Sequence, residues 1–473
     1  MPLSRLSTTI VGKSDGYKYG HWRQYPPGTR FVESYFEARA GAAHGHIIPF
    51  GLQYYLMEYL EGTRLTREAV HKMHRRANKA LGVDVFNWEG WHHLLDKHNG
   101  ILPIRIRAIP EGTPVPPLTP LFVVENTDYQ FPWLTNFVET LLVKTWYPTT
   151  VASAQYAKYR MFLDFLVKNG TPSLIDHKWV DFGYRGVSSE ESAALGGAAH
   201  LLAFRSSETA VADEFIEAYY GGQECQSAGI PAAEHSTITA WEREREEDAY
   251  RNMLRQYPTG LVSVVSDSYD YGNAVRHIWG ERLVAEVLTR DGTVVIRPDS
   301  GDPPTTVLNT CQWLARNFGC DINEKGYKVL DRHVRIIQGD GIGYDSAYRI
   351  LDTLDREGWS ADNVTLGEGA GALQKVDRDT EDMAMKCCAV NVHGTWRDVH
   401  KDPVTGHSKV SKGGHLAVVN EGGTVKTVRK PDTGPHPGDM LVPVFENGKI
   451  LRTYGFEEIR SRVHALDNIQ LGG

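Results

Sequence analysis

Long apolar runs are missing from this sequence. No stretch approaches the ~18 consecutive apolar residues of a membrane-spanning helix, which excludes a helical membrane protein. Cysteine is scarce: Cys225, Cys311, Cys320, Cys387 and Cys388 form an odd set without paired metal-ligand spacings. That excludes a disulfide scaffold and a zinc module, and fits reduced thiols in a cytoplasmic protein. Low-complexity tracts and short repeats are absent, so a solenoid is excluded. The N-terminal MPLSRLSTTIVGKSDGYK lacks the apolar centre of a secretory signal. An excess of positive charge is also lacking: 51 Lys and Arg stand against 59 Asp and Glu, a net charge of −8. Neither nucleic acid nor an acidic membrane is therefore an expected partner. What remains is 473 residues, 41% hydrophobic and 23% charged, the balance of a folded chain rather than a disordered or coiled-coil one.

The chain changes character along its length. Residues 50–100 carry helical periodicity, and ILPIRIRAIPEGTPVPPLTPLFVVENTD alternates like short antiparallel strands around Pro and Gly. NFVETLLVKTWYPTTVASAQYAKYRMFLDFLVKNG predicts long helices, with Pro148 kinking or separating them. From about 175, β-rich runs end in polar or glycine-bearing turns, each followed by a helical segment. These are HKWVDFGYRG, HLLAFRSS, IPAAEHS, LVSVVSDSYD, TVVIRPDSGD, VRIIQGDGIG, NVTLGEGAG and AMKCCAVNVHG. Strand–turn–helix repetition with continuous apolar strands predicts a parallel sheet covered by helices. Seven or eight units in about 215 residues fit a (β/α) barrel better than an open sheet. After 392 short Gly-, Lys- and Pro-rich strands return. The expected organisation is therefore a central barrel over 175–391, flanked by a mixed α+β domain built from 1–174 and 392–473.

In such a barrel the chemistry sits at the C-terminal ends of the strands. Asp181, Arg185, Arg205, Glu208, His235, Asp267, Arg297, Asp299, Asp340 and Glu368 all fall there. Singly, a carboxylate after a strand usually caps the next helix. Charged or imidazole groups at nearly every strand end are harder to explain by capping. Arginine forks mixed with carboxylates point to a phosphorylated substrate and a divalent metal, with Asp267 and Asp299 suited to Mg²⁺. QGDGIG and GEGAGAL follow predicted strands and can present backbone N–H groups to phosphate, although tight βα turns are an equal alternative. His235 precedes Ser236 and Thr237 at a helix start, where the positive end of the dipole favours neutral imidazole, a nucleophile or general base. Other features are bland. WEREREEDAYR is a solvated helix face, His71 and His74 lack an acidic partner for a metal, and Cys387 and Cys388 are buried thiols.

Eleven motifs, in order, carry a resemblance: YKYGHWRQYPPGT, SYFEAR, FGLQYYL, VENTD, DFGYRGVSS, PAAEHSTITAW, VSVVSDSYD, IRPDSG, RIIQGDG, LQKVDRD and KDPV. Together they resemble the nicotinamide phosphoribosyltransferase family over nearly the whole chain, from about 15 to 460. The resemblance implies a type II phosphoribosyltransferase, an irregular α/β barrel with a flanking domain, acting as a homodimer with shared active sites. The implied reaction joins nicotinamide to 5-phosphoribosyl-1-pyrophosphate with Mg²⁺, and ATP as co-substrate phosphorylates the active-site histidine, His235.

Residue by residue, the resemblance implies that Phe182 stacks on the pyridine ring and the partner's Tyr17, beside Asp15 in DGYK, covers its other face. Arg297 lies near the ring carbonyl and ribose, Asp299 at the ribose hydroxyls or the metal's waters, and Asp267 at the Mg²⁺. The backbone of Gly339, Asp340, Gly369 and Ala370 lines the 5′-phosphate site. Arg185, Arg378 and His235, with the partner's Arg39, Lys386 and Lys409, surround the pyrophosphate or the ATP phosphates. The sequence departs from the family in three places. Glu208 stands where an Asp usually reads the amide, and still accepts from an amide while repelling the carboxylate of nicotinic acid. GEGAGAL replaces a serine and three glycines, so Glu368 is expected to repel phosphate if it points inwards. DGYK lacks the usual serine after its aspartate. The alternatives are nicotinate phosphoribosyltransferase, a metal-dependent hydrolase on the same barrel, and a silent binding relative.

Overall fold

The apolar runs between 179 and 368 form one parallel sheet in the computed structural model, which describes residues 9–222, 224–405, 410–431 and 434–465. Its strand order is Ser206–Ser207, Trp179–Asp181, Val364–Glu368, Val334–Gln338, Asp291–Arg297 and Thr259–Val265. All five pairings are parallel. The two edges are joined through the segment 228–232, which bridges Ser206 at Ala228 and Ser263 at Ala232, both in parallel sense. Three backbone bonds secure it: Ala228 N to Arg205 O at 2.6 Å, Ser263 N to Pro231 O at 2.8 Å and Ala233 N to Ser263 O at 2.9 Å. Pro231 has no N–H to donate, so this seventh stave stays a pair of bridges rather than a full strand. The α/β class and the irregular (β/α) barrel are as the sequence implies.

Alternation along the strands decides what faces where. Val262, Val264, Val294, Ile296, Val334, Ile336, Val364 and Leu366 point outwards and join one core with the covering helices. Val180, Val295 and Ile337 point into the barrel and form a separate small apolar cluster with Phe182 and Ile230. Both faces of the sheet are thus buried, which is why its strands read as unbroken apolar runs. The barrel belongs to a unit of residues Ala154–Glu217 and Gly222–Lys375. Pro148 falls in the first turn of the helix Trp146–Asn169, where its missing N–H costs nothing. It therefore kinks nothing but stands just past the boundary between the 3₁₀ turn Val143–Thr145 and this helix, the separation the sequence suggests.

The other unit holds Met1–Ser153, Ala218–Gly221 and Val376–Gly473. Its seven-stranded sheet runs Thr395–Asp398, Met383–Val392, Thr29–Ala38, Pro120–Asn126, Ile104–Ala108, Val442–Glu446 and Lys449–Ile450. Every pairing is antiparallel. The run AMKCCAVNVHG is accordingly not a barrel strand: Met383–Val392 lies between Thr29–Ala38 and Thr395–Asp398. Helices Leu52–Tyr59, Arg67–Leu81 and Trp88–His98 account for the periodicity of residues 50–100.

Candidate active site

Because the staves run in one direction, their C-terminal ends open on one mouth. Phe182 follows the stave Trp179–Asp181, and its backbone N–H donates to the Glu368 carbonyl at 2.8 Å. Its ring lies on Gly367, where a Cβ would come within 2.3 Å of the ring Cε2, so only glycine leaves room. Beneath the ring lies the Val180, Val295 and Ile337 cluster, and the Arg297 guanidinium stands 5.5 Å from the ring centroid. Glu208 follows the stave Ser206–Ser207, its N–H donating to the Asp181 carbonyl at 2.9 Å, and its carboxylate lies beside Gly229, where a Cβ would be 3.4 Å from Oε1, next to the Ile230 of that cluster. The residue is exposed, yet its carboxyl end is partly desolvated. Burial, and then the charge of Asp181, raises its pKa above the usual carboxylate value. An apolar slot with a cation and a carboxylate at its edge suits a flat, polar heteroaromatic ring.

A second group of side chains adjoins it. His235 Nε2 lies 3.0 Å from Asp267 Oδ1, and its Nδ1 lies 3.9 Å from Asp299 Oδ2. Asp267 also accepts from the Asp299 N–H at 3.2 Å and the Ser300 hydroxyl at 2.6 Å. Asp299 in turn accepts from Arg297 at 2.9 Å. The histidine does begin a helix, His235–Thr239, but five residues make a weak dipole. The two carboxylates, rather than the helix, set the ring's orientation. Gly339 closes this corner, where a Cβ would lie 3.3 Å from Arg297 Nε and 3.4 Å from Asp299 Oδ1. Among the described residues Arg297 Nε is buried and has no hydrogen-bond partner. No three His, Cys, Asp or Glu side chains among the described residues make an all-protein metal cage.

Both glycine-rich turns border the mouth. Gly339 and the exposed Asp340 precede the helix Tyr344–Arg356, whose start is tied by Gly343 N–H donating to Ser346 Oγ at 2.9 Å. Gly341 adopts φ +69°, a conformation that glycine takes without strain. In the other turn, Gly369 and Ala370 open the short helix Ala370–Leu373. Gly186 packs on Ala370, where a Cβ would lie 2.6 Å from the alanine Cβ, and Ser188 N–H donates to Gln374 at 3.1 Å. That docking puts the exposed Arg185 on the same rim. Glu368 does not project towards a phosphate. It is 2% exposed, and its carboxylate accepts from Lys158 Nζ at 2.6 Å and Trp179 Nε1 at 3.0 Å.

Arg205 stays in the barrel unit, 3.5 Å from Asp176, and the remaining sequence-predicted residues lie in the other unit. Tyr17 is 63% exposed, and neighbouring Asp15 accepts from Thr140 at 2.7 Å. Arg39 pairs with the Asp382 carboxylate, and Arg378 with Asp379 at 2.7 Å. Burial lowers the pKa of Lys386; Glu139 opposes the shift, while Arg39, Lys401 and Arg378 add to it. Arg39 Nε donates to the Asp382 carbonyl at 2.9 Å and Arg378 to the Met383 carbonyl at 3.1 Å, both at the start of the strand that carries Lys386; Lys401 is a further cation that sequence reasoning missed although the KDPV motif contains it. Lys409 lies outside the described residues. Ser300 is a second missed residue, read only as part of the IRPDSG turn. Lys158 is a third, and nothing in its own segment marks it.

Known proteins match this arrangement. The model of the Nicotinate phosphoribosyltransferase (NAPRTase) family matches residues 177–433, and that of the Nicotinamide phosphoribosyltransferase N-terminal domain matches residues 9–106. A nicotinamide phosphoribosyltransferase from Xanthomonas campestris is 44% identical over 96% of this chain and 98% of its own length. The chain belongs to the nicotinamide phosphoribosyltransferases of the NAPRTase family. A further family member, from Acinetobacter baylyi, is 32% identical over 95% of this chain and 96% of its own. The nicotinate-nucleotide pyrophosphorylase from Pyrococcus furiosus superposes with a TM-score of 0.58 at 15% identity. It covers 98% of this chain and 96% of its own, a likeness of fold.

Proposed function

We propose that this chain transfers the 5-phosphoribosyl group of 5-phosphoribosyl-1-pyrophosphate to nicotinamide, giving nicotinamide mononucleotide and pyrophosphate. The observation that carries the reading is the slot of Phe182, Arg297 and Glu208. Phe182 offers a ring face, with the Arg297 cation 5.5 Å from its centroid. The Glu208 carboxylate accepts from a carboxamide N–H₂ and repels the carboxylate of nicotinic acid. This favours nicotinamide over the nicotinate alternative.

In the reaction the bond from C1′ to pyrophosphate breaks, the electron pair leaves with pyrophosphate, and the pyridine nitrogen forms the new bond to C1′. The transition state is oxocarbenium-like, as in glycoside cleavage. Holding the ring in line and neutralising the leaving group are then the main tasks. Asp267 and Asp299 fit Mg²⁺, which keeps several waters and takes few protein carboxylates. Bound there, Mg²⁺ would offset the charge on pyrophosphate. Arg185 stands on the same rim. Gly339, Asp340, Gly369 and Ala370 offer backbone N–H groups to the 5′-phosphate.

The reading includes a homodimer. The partner's Tyr17 would cover the open face of the pyridine. Arg378, with the partner's Arg39, Lys386 and Lys409, would meet the phosphates. The placing of Arg39 and Arg378 at the start of the strand that carries Lys386 supports an anion site, although Arg39 and Arg378 also pair with Asp382 and Asp379. ATP is the expected co-substrate: its γ-phosphoryl passes to His235, ADP departs, and water later releases phosphate. Asp267 occupies Nε2, which leaves Nδ1 as the nucleophile. Among the described residues no helix is long and apolar enough to cross a membrane, and a cytoplasmic location is part of this reading.

The test is to supply nicotinamide, 5-phosphoribosyl-1-pyrophosphate and Mg²⁺ and to follow both products. Equimolar nicotinamide mononucleotide and pyrophosphate are expected. Ribose 5-phosphate released without any base would favour the hydrolase instead.

A further inference from the structure

The helix Trp146–Asn169 reaches the second glycine-rich turn at two points. Gln155 Nε2 donates to the Ala372 carbonyl at 3.3 Å, within the turn itself. One helical turn later, Lys158 Nζ donates to Glu368 Oε2 at 2.6 Å, immediately before it. Residues three apart lie on one face of a helix, so a single face holds both anchors. The ion pair is buried, with side chains 7% and 3% exposed, and Trp179 Nε1 donates to the same Glu368 oxygen at 3.0 Å. The other oxygen lies against the turn: a Cβ on Gly371 would be 2.6 Å from Glu368 Oε1. The Glu368 carbonyl meanwhile accepts from Phe182 N–H at 2.8 Å. One residue thus touches both the ring slot and the phosphate turn.

A buried ion pair contributes little net stability, because desolvation offsets its attraction; fixing a geometry is the better-supported role. The charge also matters locally. A lone carboxylate beside a phosphate-binding turn would repel the ligand, and Lys158 cancels it. We propose that Lys158 and Glu368 are positioning residues for the substrate's 5′-phosphate, the lysine both anchoring and neutralising the glutamate that sets the Gly369–Leu373 turn. This rests on the substrate reading above.

The experiment compares two ligands that differ only in the 5′-phosphate, nicotinamide mononucleotide and nicotinamide riboside. Dissociation constants are measured by calorimetry for the wild type, Lys158→Gln, Glu368→Gln and the double variant. Lys158→Gln should weaken the mononucleotide about ten- to a hundredfold, the scale of a misplaced contact, and leave the riboside within about twofold. The double variant has no unpaired buried charge, so it should fold and recover most of the preference. Single variants that lose thermal stability while keeping the wild-type ratio of the two constants would overturn the proposal. If Lys158→Gln does not fold, an unrecovered phosphate preference in the folded double variant would overturn it equally. Wild type that binds neither ligand would refute the substrate reading and this inference with it. Wild type that prefers the mononucleotide, with variants that prefer it equally, refutes this inference alone.

Discussion

Asp267 holds His235 through Nε2 at 3.0 Å while its second oxygen accepts from the Asp299 N–H at 3.2 Å. One carboxylate therefore fixes the ring and the neighbouring turn together. Asp267→Asn leaves one acceptor oxygen where two are used, so either the ring or the Asp299 N–H meets a donor, and it should lower ATP-stimulated turnover about 10²-fold. Initial rates with and without ATP check this. His235→Ala should abolish the stimulation altogether and retain some basal transfer. An unchanged response to ATP in either variant would contradict the arrangement.

Selectivity between bases should follow the charge on Glu208. Glu208→Gln removes the repulsion and should raise kcat/KM for nicotinic acid about tenfold, equivalent to ~1.4 kcal/mol. The wild type should show a matching pH dependence. Burial and Asp181 raise the pKa of Glu208, so its carboxylate is charged above that value and neutral below it. Discrimination against nicotinic acid is therefore expected to weaken as pH falls through the raised pKa. Selectivity independent of pH in the wild type and of the Gln substitution would show that Glu208 does not read the base.

Gly367 leaves space for the Phe182 ring. A Cβ would lie 2.3 Å from that ring, so Gly367→Ala must push it aside. Overpacking of this kind costs about 1–3 kcal/mol, and the displaced ring should raise KM for nicotinamide about tenfold. KM for the phosphoribosyl donor should change far less. Steady-state kinetics with each substrate varied in turn will separate the two.

Stability should carry its own pH signature from Glu111. It is fully buried, accepts from Gln53 N–H at 2.7 Å and Tyr220 OH at 3.0 Å, and burial raises its pKa from 4.5 to about 7. Between those values the folded chain binds more protons than the unfolded one, so stability falls as pH rises from 4.5 towards 7. The full effect is about 3 kcal/mol. Glu111→Gln should remove that slope, read by denaturant titrations at several pH values. Equal slopes in both proteins would contradict it.

The stave ends are legible in the sequence because each apolar run stops on a residue with chemistry. Asp181, Arg185, Glu208, His235, Asp267, Arg297, Asp299 and Asp340 all fall where a parallel barrel opens, whereas Phe182 is marked only by the family resemblance. The run Met383–Val392 misleads for a physical reason: it sits inside an antiparallel sheet, between Thr29–Ala38 and Thr395–Asp398. An inner strand covered on both faces reads as continuously apolar whatever its direction. The fate of Glu368 is equally invisible locally, since its partner Lys158 is 210 residues away. Ser300 is in plain view in the sequence. Its bond to Asp267 depends on two staves lying side by side, which spacing does not encode.

The proposed function requires this mouth to select nicotinamide as acceptor of a phosphoribosyl group. The most direct measurement is a competition in one vessel, with equimolar nicotinamide and nicotinic acid, 5-phosphoribosyl-1-pyrophosphate and Mg²⁺, the two mononucleotides being resolved by mass. Nicotinamide mononucleotide in large excess, with a further rise on adding ATP, is the predicted result. Nicotinic acid mononucleotide in excess would contradict the account and give the site to the sister reaction.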